Sequence, residues 1–382
     1  MAVQLTSGQK LVSSLTSPPA KPDPAPKPEL IAKTVDYADR SIVVTIPFPD
    51  SMELITDVTN AMMLAPDTQG GSAKAIYNEI DEQLRQHVEG FMTGASFFSP
   101  APKISGLVAK KHKAVFTLAY QDEEPLHRAF LTLQRRIGPD YPIWSIRLEF
   151  SAWKAGPAGL LKLTALMDDA LPLAIQQVIA GFAVSRMDVA IDCIGAEPID
   201  LITRIKKQGK RLTYVGDNGR PETVYLYEKK PPLKGPPGKL GIKTTGPARL
   251  KLYERRAYMS QFSLPPTYGS CPVTRAEAQM RWTKGRPLLG KLLGLKNPYQ
   301  DVIVAYAPPV GDNSKSWQQF CLAAFGAGTT AAATAFFPGN GFTARELYQS
   351  CTGDLIDKGC WERWKDGVVL YGLKAWIDLS NG

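Results

Sequence analysis

The sequence predicts an α+β fold in which a central antiparallel β-sheet is covered by helices. Short runs rich in β-branched residues are interspersed with stretches whose apolar residues recur at helical spacing. The predicted elements follow the order β, α, β, β, β, α, β, and part of this order repeats after residue 183. With 382 residues, of which 44% are hydrophobic, the chain is also long enough to bury a substantial core.

Each predicted element has its own local signal. The first strands are predicted at 41–48, where proline interrupts the run, and at 114–120 and 144–150, and a helix is predicted at 73–91. Helical spacing from 160 to 179 is broken at Pro172, which predicts one kinked helix or two consecutive helices. A hairpin is predicted from 213–216 to 224–230, because Asn218-Gly219 suits a tight turn.

Composition divides the chain into three parts. Residues 1–33 carry alternating prolines, which favour an extended, disordered leader. Residues 34–285 hold the predicted sheet, and residues 286–382 have the helix-rich pattern of an accessory C-terminal domain. No apolar run reaches the roughly 18–20 residues of a membrane-spanning helix, and no secretory signal is recognisable. We therefore expect a cytoplasmic protein.

Positive charge is concentrated in one window of the chain. The whole sequence has a formal net charge of +9, and residues 201–260 alone hold 15 Lys and Arg against 4 Asp and Glu, together with five tyrosines. Such a window is typical of a phosphate-binding surface, and it predicts a nucleic-acid partner. The alternative is a solvated surface that binds nothing.

Several enzyme classes lack their characteristic residues in this chain. The three histidines show no pairing at metal-ligand spacing and give no basis for a Ser/His/Asp triad. The five cysteines include no Cys-x-x-Cys pair. The glycine motifs that hold nucleotide phosphates are absent as well. ATPase, kinase and dinucleotide-dependent activities are therefore disfavoured, and carboxylates and tyrosines remain as the candidate chemistry.

Two similar motifs open predicted strands, Ser185-Arg186-Met187-Asp188 and Thr274-Arg275-Ala276-Glu277. Strand alternation places Arg186, Asp188 and Asp192 on one face of the first strand. It likewise places Arg275 and Glu277 on one face of the second strand. We expect this face to be the solvent-exposed or catalytic side of the sheet. Asp188 and Asp192 lie about 13 Å apart along a strand, so both cannot bind one ion. We favour Asp188 with Glu277 as ligands of Mg²⁺ or Mn²⁺ and keep Asp192 as a further candidate. The alternative is a ladder of cross-strand salt bridges.

Two tyrosine phrases resemble each other, Tyr225-Leu226-Tyr227-Glu228-Lys229-Lys230 and Lys251-Leu252-Tyr253-Glu254-Arg255-Arg256. Neighbouring Lys or Arg charges favour the phenolate form of a tyrosine. A tyrosine hydroxyl that attacks a metal-bound phosphate needs acid, tyrosine and positive charge in one neighbourhood. The sequence thus offers Tyr253 and Tyr227 as candidate nucleophiles, while the structural alternative for either is a buried strand tyrosine.

The succession of these motifs resembles the replication initiation factor family, which includes initiators of rolling-circle plasmids and filamentous phages and related relaxases of mobile elements. The resemblance covers residues 34–285 and rests on Leu148-Glu149-Phe150-Ser151-Ala152, the Ser-Arg-Met-Asp strand, Tyr-x-Gly, Leu-x-Leu-Tyr-Glu-Arg and Thr-Arg-Ala-Glu. It implies a relaxase-like sheet and a metal-dependent tyrosine endonuclease that nicks DNA, keeps the 5′ end on the tyrosine and frees a 3′ hydroxyl. The family's Gly-Ser-Arg-x-Ser stretch is altered here to Gly241-Ile242-Lys243-Thr244-Thr245.

By this resemblance, Asp188 and Glu277 match the metal-binding acids and Tyr253 matches the nicking tyrosine, with Tyr227 as a rival because the phrase is duplicated. The expected DNA contacts are Arg186, Lys229, Lys230, Lys243, Arg249, Lys251, Arg255, Arg256 and Arg275. The implied partners are origin DNA with a single-stranded nick site, a host helicase and a second copy of the chain, in the cytoplasm of a bacterial host.

A second hypothesis is a non-catalytic protein that holds DNA or RNA on the same basic face and loop.

Overall fold

The chain folds as a mixed α+β protein with one large antiparallel sheet and several helices. The computed structural model describes residues 27–37, 39–63, 71–94, 98–100, 114–121, 128–137, 140–206, 210–215, 221–227, 249–261, 268–306, 314–327, 329–336 and 355–381. Most of the predicted leader lies outside these residues. Its last three residues, 31–33, belong to the first strand, so regular structure begins before residue 34.

The described strands are β1 (Ile31–Asp36), β2 (Ser41–Thr45), β3 (Phe48–Asp57), β4 (Phe98–Pro100), β5 (Ala114–Gln121), β6 (Arg128–Ile137), β7 (Pro142–Phe150), β8 (Ala183–Ile194), β9 (Leu201–Ile205), β10 (Lys210–Val215), β11 (Pro221–Tyr227), β12 (Leu250–Glu254), β13 (Val273–Arg281) and β14 (Val302–Tyr306). The described α-helices are α1 (Ala73–Gly94), α2 (Ala152–Ala170), α3 (Ile175–Gly181), α4 (Arg255–Gln261), α5 (Ser314–Ala327), α6 (Thr329–Phe336), α7 (Lys358–Glu362), α8 (Trp364–Leu370) and α9 (Leu373–Leu379).

Twelve of these strands form one sheet. Its main path runs β10-β11-β12-β13-β8-β3-β7-β6-β5-β4, and β1 and β2 join it because β2 also pairs with β8. The neighbours on this path pair in antiparallel fashion, while β9 and β14 form a separate two-stranded sheet. The predicted antiparallel sheet is therefore confirmed, and strand β8 lies at its centre, between β13 and β3.

The alternation in β8 explains its central position. Met187, Val189, Ile191 and Cys193 point to one face and are fully buried in the hydrophobic core with helices packed over it. Burial of each large apolar side chain is worth about 1.5–3 kcal/mol relative to exposure. This apolar face fixes the register, since a slip of one residue would turn the core side chains to the opposite face.

The predicted strand at 41–48 is two strands rather than one. Strand β2 ends at Thr45, and β3 begins at Phe48 and continues to Asp57. Pro47 ends the first run, as expected, but the chain re-enters the sheet immediately afterwards. The pairing of β3 with β8 shifts register between Pro49 and Ser51, and this irregularity contains Asp50.

The helical signal from 160 to 179 corresponds to two consecutive helices, α2 and α3, which confirms one of the two expected outcomes. Helix α2 starts earlier than predicted, at Ala152, and Gly156 interrupts its first turn with a φ of 59°. A side chain is strained at this positive φ, so glycine suits the position. The interruption separates Trp153 from the main body of the helix.

The residues after 285 do not form a core of their own within the described part of the chain. Leu289, Trp364 and Trp376 belong to the same hydrophobic cluster as the strands. Gly367 lets α8 approach the β2–β3 connection, because an added Cβ would lie 2.0 Å from the carbonyl oxygen of Pro47. The expected accessory domain is thus helix-rich, but its helices are integrated with the sheet.

Candidate active site

Strands β8, β13 and β12 bring the predicted site residues onto one face of the sheet. Tyr253 on β12 pairs with Arg275 on β13, which in turn pairs with Asp192 on β8. In the next row, Lys251 pairs with Glu277, which stands across from Ala190. Directly paired residues share a face, so two motifs that are distant in the sequence meet beside Tyr253.

Asp188 lies on the same face, one diagonal step from Glu277. Its direct partner on β13 is Gln279, while Glu277 pairs two residues further along β8. Diagonal neighbours in a sheet are about 7–8 Å apart. The face that carries these groups was expected to be wet, but it is covered: Asp188, Asp192, Arg275, Glu277 and Tyr253 are all buried.

The Arg275–Asp192 pair is the most deeply buried charged contact of the face. Arg275 donates from Nε to Asp192 Oδ1 at 2.7 Å and from Nη2 to Asp192 Oδ2 at 2.8 Å. A third donor, Nη1, lies 3.3 Å from Asp50 Oδ1, and Tyr268 donates its hydroxyl to Asp192 at 3.3 Å. Burial opposes the charge of Arg275, but Asp192, Tyr253 and Asp50 together outweigh it and raise the pKa of Arg275 well above its ordinary value.

The Arg275–Asp192 pair is a cross-strand salt bridge, which is the structural alternative to a metal site that the sequence left open. Both oxygens of Asp192 accept hydrogen bonds from Arg275, and both side chains are almost completely buried, whereas the arginine beside Asp188 is partly exposed. Asp192 therefore fits a structural ion pair better than the role of a metal ligand. Arg275 is 1% exposed and shares its donors between Asp192 and Asp50. Its hydrogen bonds link β13 to β8 and to Asp50 of β3, which differs from the phosphate-contact role expected of it.

Tyr253 and Glu277 form the second contact of the face. The Tyr253 hydroxyl donates to Glu277 Oε2 at 3.3 Å, and Lys251 Nζ lies 3.7 Å from the same oxygen and 4.1 Å from the Tyr253 ring centroid. Burial raises the pKa of Tyr253 well above 10, although the Arg275 charge partly opposes this shift. Burial, followed by the Asp50 charge, raises the pKa of Glu277 to about 7.

Asp188 is paired with a cation of its own strand. Arg186 Nη2 lies 2.5 Å from Asp188 Oδ2, and Arg186 Nε lies 3.3 Å from Asp188 Oδ1. Burial lowers the pKa of Arg186, but the hydrogen bond and charge of Asp188, with the charges of Glu149 and Glu277, together outweigh this and give a net rise. Arg186 remains about a quarter exposed and lies 3.9 Å from Glu149, so it stands at the rim of the covered face.

Helix α4 begins at Arg255, two residues after Tyr253, and Glu254 caps it. The Glu254 carboxylate accepts the backbone N–H of Ala257 at 2.5 Å and also pairs with Arg256 at 2.7 Å. The chain thus leaves the sheet one residue after the tyrosine. Arg255 is turned inward as a result, with its Cζ 4.7 Å from the Trp153 ring centroid.

Tyr227 lies on the same face of the sheet but away from these groups. Thr223, not Tyr227, is the β11 residue that pairs with Tyr253, and Tyr227 pairs with Lys210 on β10. Four residues of strand separate Thr223 from Tyr227, which corresponds to about 13 Å. The structure therefore places Tyr253, and not its rival, beside Glu277.

The other expected DNA contacts are dispersed. Lys251 is partly exposed beside Glu277, and Arg249 precedes β12. Arg256 is bound by Glu254, by the carbonyl of Ser270 at 2.7 Å and by Glu197 at 3.5 Å. Lys229, Lys230 and Lys243 lie outside the described residues.

Sequence reasoning missed four residues that complete the face: Asp50, Trp153, Tyr258 and Tyr268. Tyr258 is one helical turn after Arg255, and its ring lies 5.4 Å from that of Tyr253. Trp153 follows directly on the Leu-Glu-Phe-Ser-Ala motif, and that position was a usable signal. Asp50 gave no signal, because its contact with Arg275 depends on the register shift of β3.

The expected divalent cation requires several oxygen ligands in one place. Within the described part of the chain, no three His, Cys, Asp or Glu side chains are grouped closely enough to hold an ion. Glu277 and Asp188 nevertheless fit a hard cation in chemistry, because both offer oxygen ligands and the negative charges of Asp50 and Asp188 help to raise the Glu277 pKa. A cation would relieve this repulsion.

No protein-family model matches the chain, and no curated protein sequence matches it. The resemblance to the replication initiation factor family therefore stays a prediction from the motifs. None of the described helices combines the length and apolar character required to cross a bilayer.

Proposed function

We propose that this chain is a DNA-nicking and strand-transfer enzyme that initiates rolling-circle replication of a plasmid or phage in the bacterial cytoplasm, with Tyr253 as its nucleophile. The observation that carries the proposal is the contact of the Tyr253 hydroxyl with Glu277 Oε2 at 3.3 Å. A carboxyl whose pKa is about 7 is a suitable general base near neutral pH.

In the proposed reaction, Glu277 accepts the Tyr253 proton as the phenolate oxygen attacks the scissile phosphorus. The bond from phosphorus to the 3′ oxygen breaks, and the proton held by Glu277 passes to that leaving oxygen. The products are a 5′-phosphotyrosine and a free 3′ hydroxyl. The raised Tyr253 pKa keeps the phenol protonated until attack, so proton transfer must accompany the chemical step.

The cations around Tyr253 have separate tasks in this scheme. Lys251, about a quarter exposed, is placed to offset negative charge that builds on the phosphate oxygens. Arg275 acts as a positioning residue through its pair with Asp192. In this scheme Asp188 would hold Mg²⁺ or Mn²⁺, which when bound would polarise the scissile phosphate, and Glu277 would not bind the cation while it acts as the base.

Access is the main requirement that this site imposes. Tyr253 is 3% exposed, and the side chains of Lys251 and Tyr258 lie against its ring. DNA can reach the hydroxyl only if these groups move. The same burial favours the second candidate function, a non-catalytic DNA- or RNA-binding protein in which Tyr253 is structural.

Incubation with supercoiled cognate origin plasmid, with Mn²⁺ or with EDTA, separates the two functions. The nicking enzyme should yield an SDS-stable protein–DNA adduct only with the metal, and peptide mapping should place the nucleotide on Tyr253. Salt-sensitive binding with no adduct in either condition would support the binding protein instead. A nucleotide mapped to another tyrosine would move the active site.

A further inference from the structure

Two neighbouring side chains bury hydrogen-bond donors without a partner. Across the ranges that the structure describes, Trp153 Nε1 and Arg255 Nε and Nη2 have no acceptor. Arg255 is only 2% exposed, so water does not replace the missing partner freely. Buried donors are nearly always satisfied in folded proteins, and an unsatisfied charged donor is particularly unfavourable. Such groups point to a ligand.

Other tryptophans and the neighbouring arginine have partners for the kinds of donor that Trp153 and Arg255 leave unpaired. Trp144, Trp364 and Trp376 each donate from Nε1, to Asp81 at 2.8 Å, to the Leu292 carbonyl at 3.0 Å and to Thr164 at 3.0 Å. The neighbouring arginine, Arg256, is bound by two carboxylates and a carbonyl. Each of these four side chains therefore has an acceptor for the kind of donor that Trp153 and Arg255 bury.

The unpaired donors lie beside the candidate nucleophile. The Arg255 guanidinium stacks on Trp153 at 4.7 Å and on Tyr258 at 5.1 Å, and Tyr258 in turn contacts Tyr253 at 5.4 Å. Arg255 is also two residues from Tyr253 in sequence. An anion held by Arg255 would therefore sit next to the Tyr253 hydroxyl and its Glu277 partner.

We propose that Trp153 and Arg255 form a binding site for the non-bridging oxygens of a DNA phosphate at the nick. The Trp153 and Arg255 side chains are donors only, and the Arg255 guanidinium has a fork that matches phosphate geometry. Hydrogen bonds of about 2.9 Å to different oxygens of one tetrahedral group let both side chains serve the same anion. The identity of the ligand rests on the proposed function, but the anion site itself does not.

The test uses the indole N–H resonances of the full-length ¹⁵N-labelled protein. Titration with inorganic phosphate, without metal, should shift the Trp153 resonance, which the Trp153→Phe variant identifies. The resonances of Trp144, Trp364 and Trp376 should stay in place. A short single-stranded oligodeoxynucleotide should then compete with the phosphate for the same resonance.

Variants extend this measurement to Arg255. Arg255→Lys keeps the positive charge but removes the guanidinium fork, and we expect phosphate binding to weaken about tenfold or more. Arg363→Lys, at the start of α8, is the matched control and should bind phosphate like the unmodified protein. Thermal unfolding of both variants checks that the fold persists.

Two outcomes would overturn the site: a Trp153 resonance that does not respond to phosphate, or an Arg255→Lys variant that binds normally. A third outcome, phosphate binding that the oligonucleotide does not displace, would overturn the assignment of the ligand to DNA. The last result would assign the site to a free anion rather than to DNA. Because binding is measured without metal or cleavage, these results are independent of whether Tyr253 forms an adduct.

Discussion

The two tyrosine phrases of this chain have nearly the same sequence but different surroundings. The phrases lie on neighbouring strands, and the third residue of each, Tyr227 or Tyr253, is on the same face of the sheet. Tyr253 pairs with Arg275 and contacts Glu277, whereas Tyr227 pairs with Lys210 at the far end of β11. Strand register, rather than the local motif, decides which phenol meets the carboxylate.

The largest expected effect separates these two tyrosines directly. Tyr253→Phe should reduce covalent adduct formation with origin DNA by about 10³-fold or more, because the nucleophile is removed. Tyr227→Phe should keep most of the activity. SDS gel electrophoresis of end-labelled oligonucleotide adducts measures both. Equal losses in the two variants would remove the distinction between the phrases.

The second prediction concerns the buried Arg275–Asp192 salt bridge on the strands next to Tyr253. Arg275→Met leaves the fully buried Asp192 carboxylate without its cation, and we expect a loss of about 3–5 kcal/mol in the free energy of unfolding. Urea denaturation measures the change. Lys374→Met, which breaks the exposed pair with Asp378, should cost less than about 1 kcal/mol. A comparably small loss for Arg275→Met would show that the buried pair does not anchor these strands.

The smallest expected effect is a pH dependence of the free energy of unfolding that is caused by Glu277, the hydrogen-bond partner of Tyr253. The Glu277 pKa is about 7 in the folded protein and 4.5 as the ordinary value, so the folded state binds this proton more tightly. The contribution of Glu277 to stability therefore falls as pH rises from 4.5 to about 7. Glu277→Gln should be more stable than the unmodified protein by about 1–3 kcal/mol above pH 7, with little difference near pH 4.5.

Urea denaturation across this pH range measures the effect, and Glu362→Gln, on an exposed ion pair of α7, supplies the control. The rate of adduct formation offers a second reading: it should rise with pH and level off above about pH 7, because Glu277 must be ionised to accept the Tyr253 proton. A rate profile that is flat through this range would argue against Glu277 as the base.

Much of the sheet could be predicted because its strands follow simple alternation. The apolar residues of β8 and the acidic residues between them were assigned to opposite faces correctly, and this also brought Asp188 and Glu277 onto one surface. The continuation of the chain into β3 was missed, since proline normally ends a strand and nothing local announces re-entry after Pro47. Asp50 was missed with it.

The sequence alone determined which residue types are available: two acidic strand motifs, a basic window and a duplicated tyrosine phrase. Local periodicity is enough for this, because alternation depends only on neighbouring residues. Only the tertiary structure decided which side chains pair. Asp192 forms a salt bridge with Arg275, and Glu277 accepts a hydrogen bond from Tyr253. Trp153 Nε1 and Arg255 Nε and Nη2 are left without acceptors. These pairings depend on register between strands far apart in the chain, and the packing of the whole core sets that register.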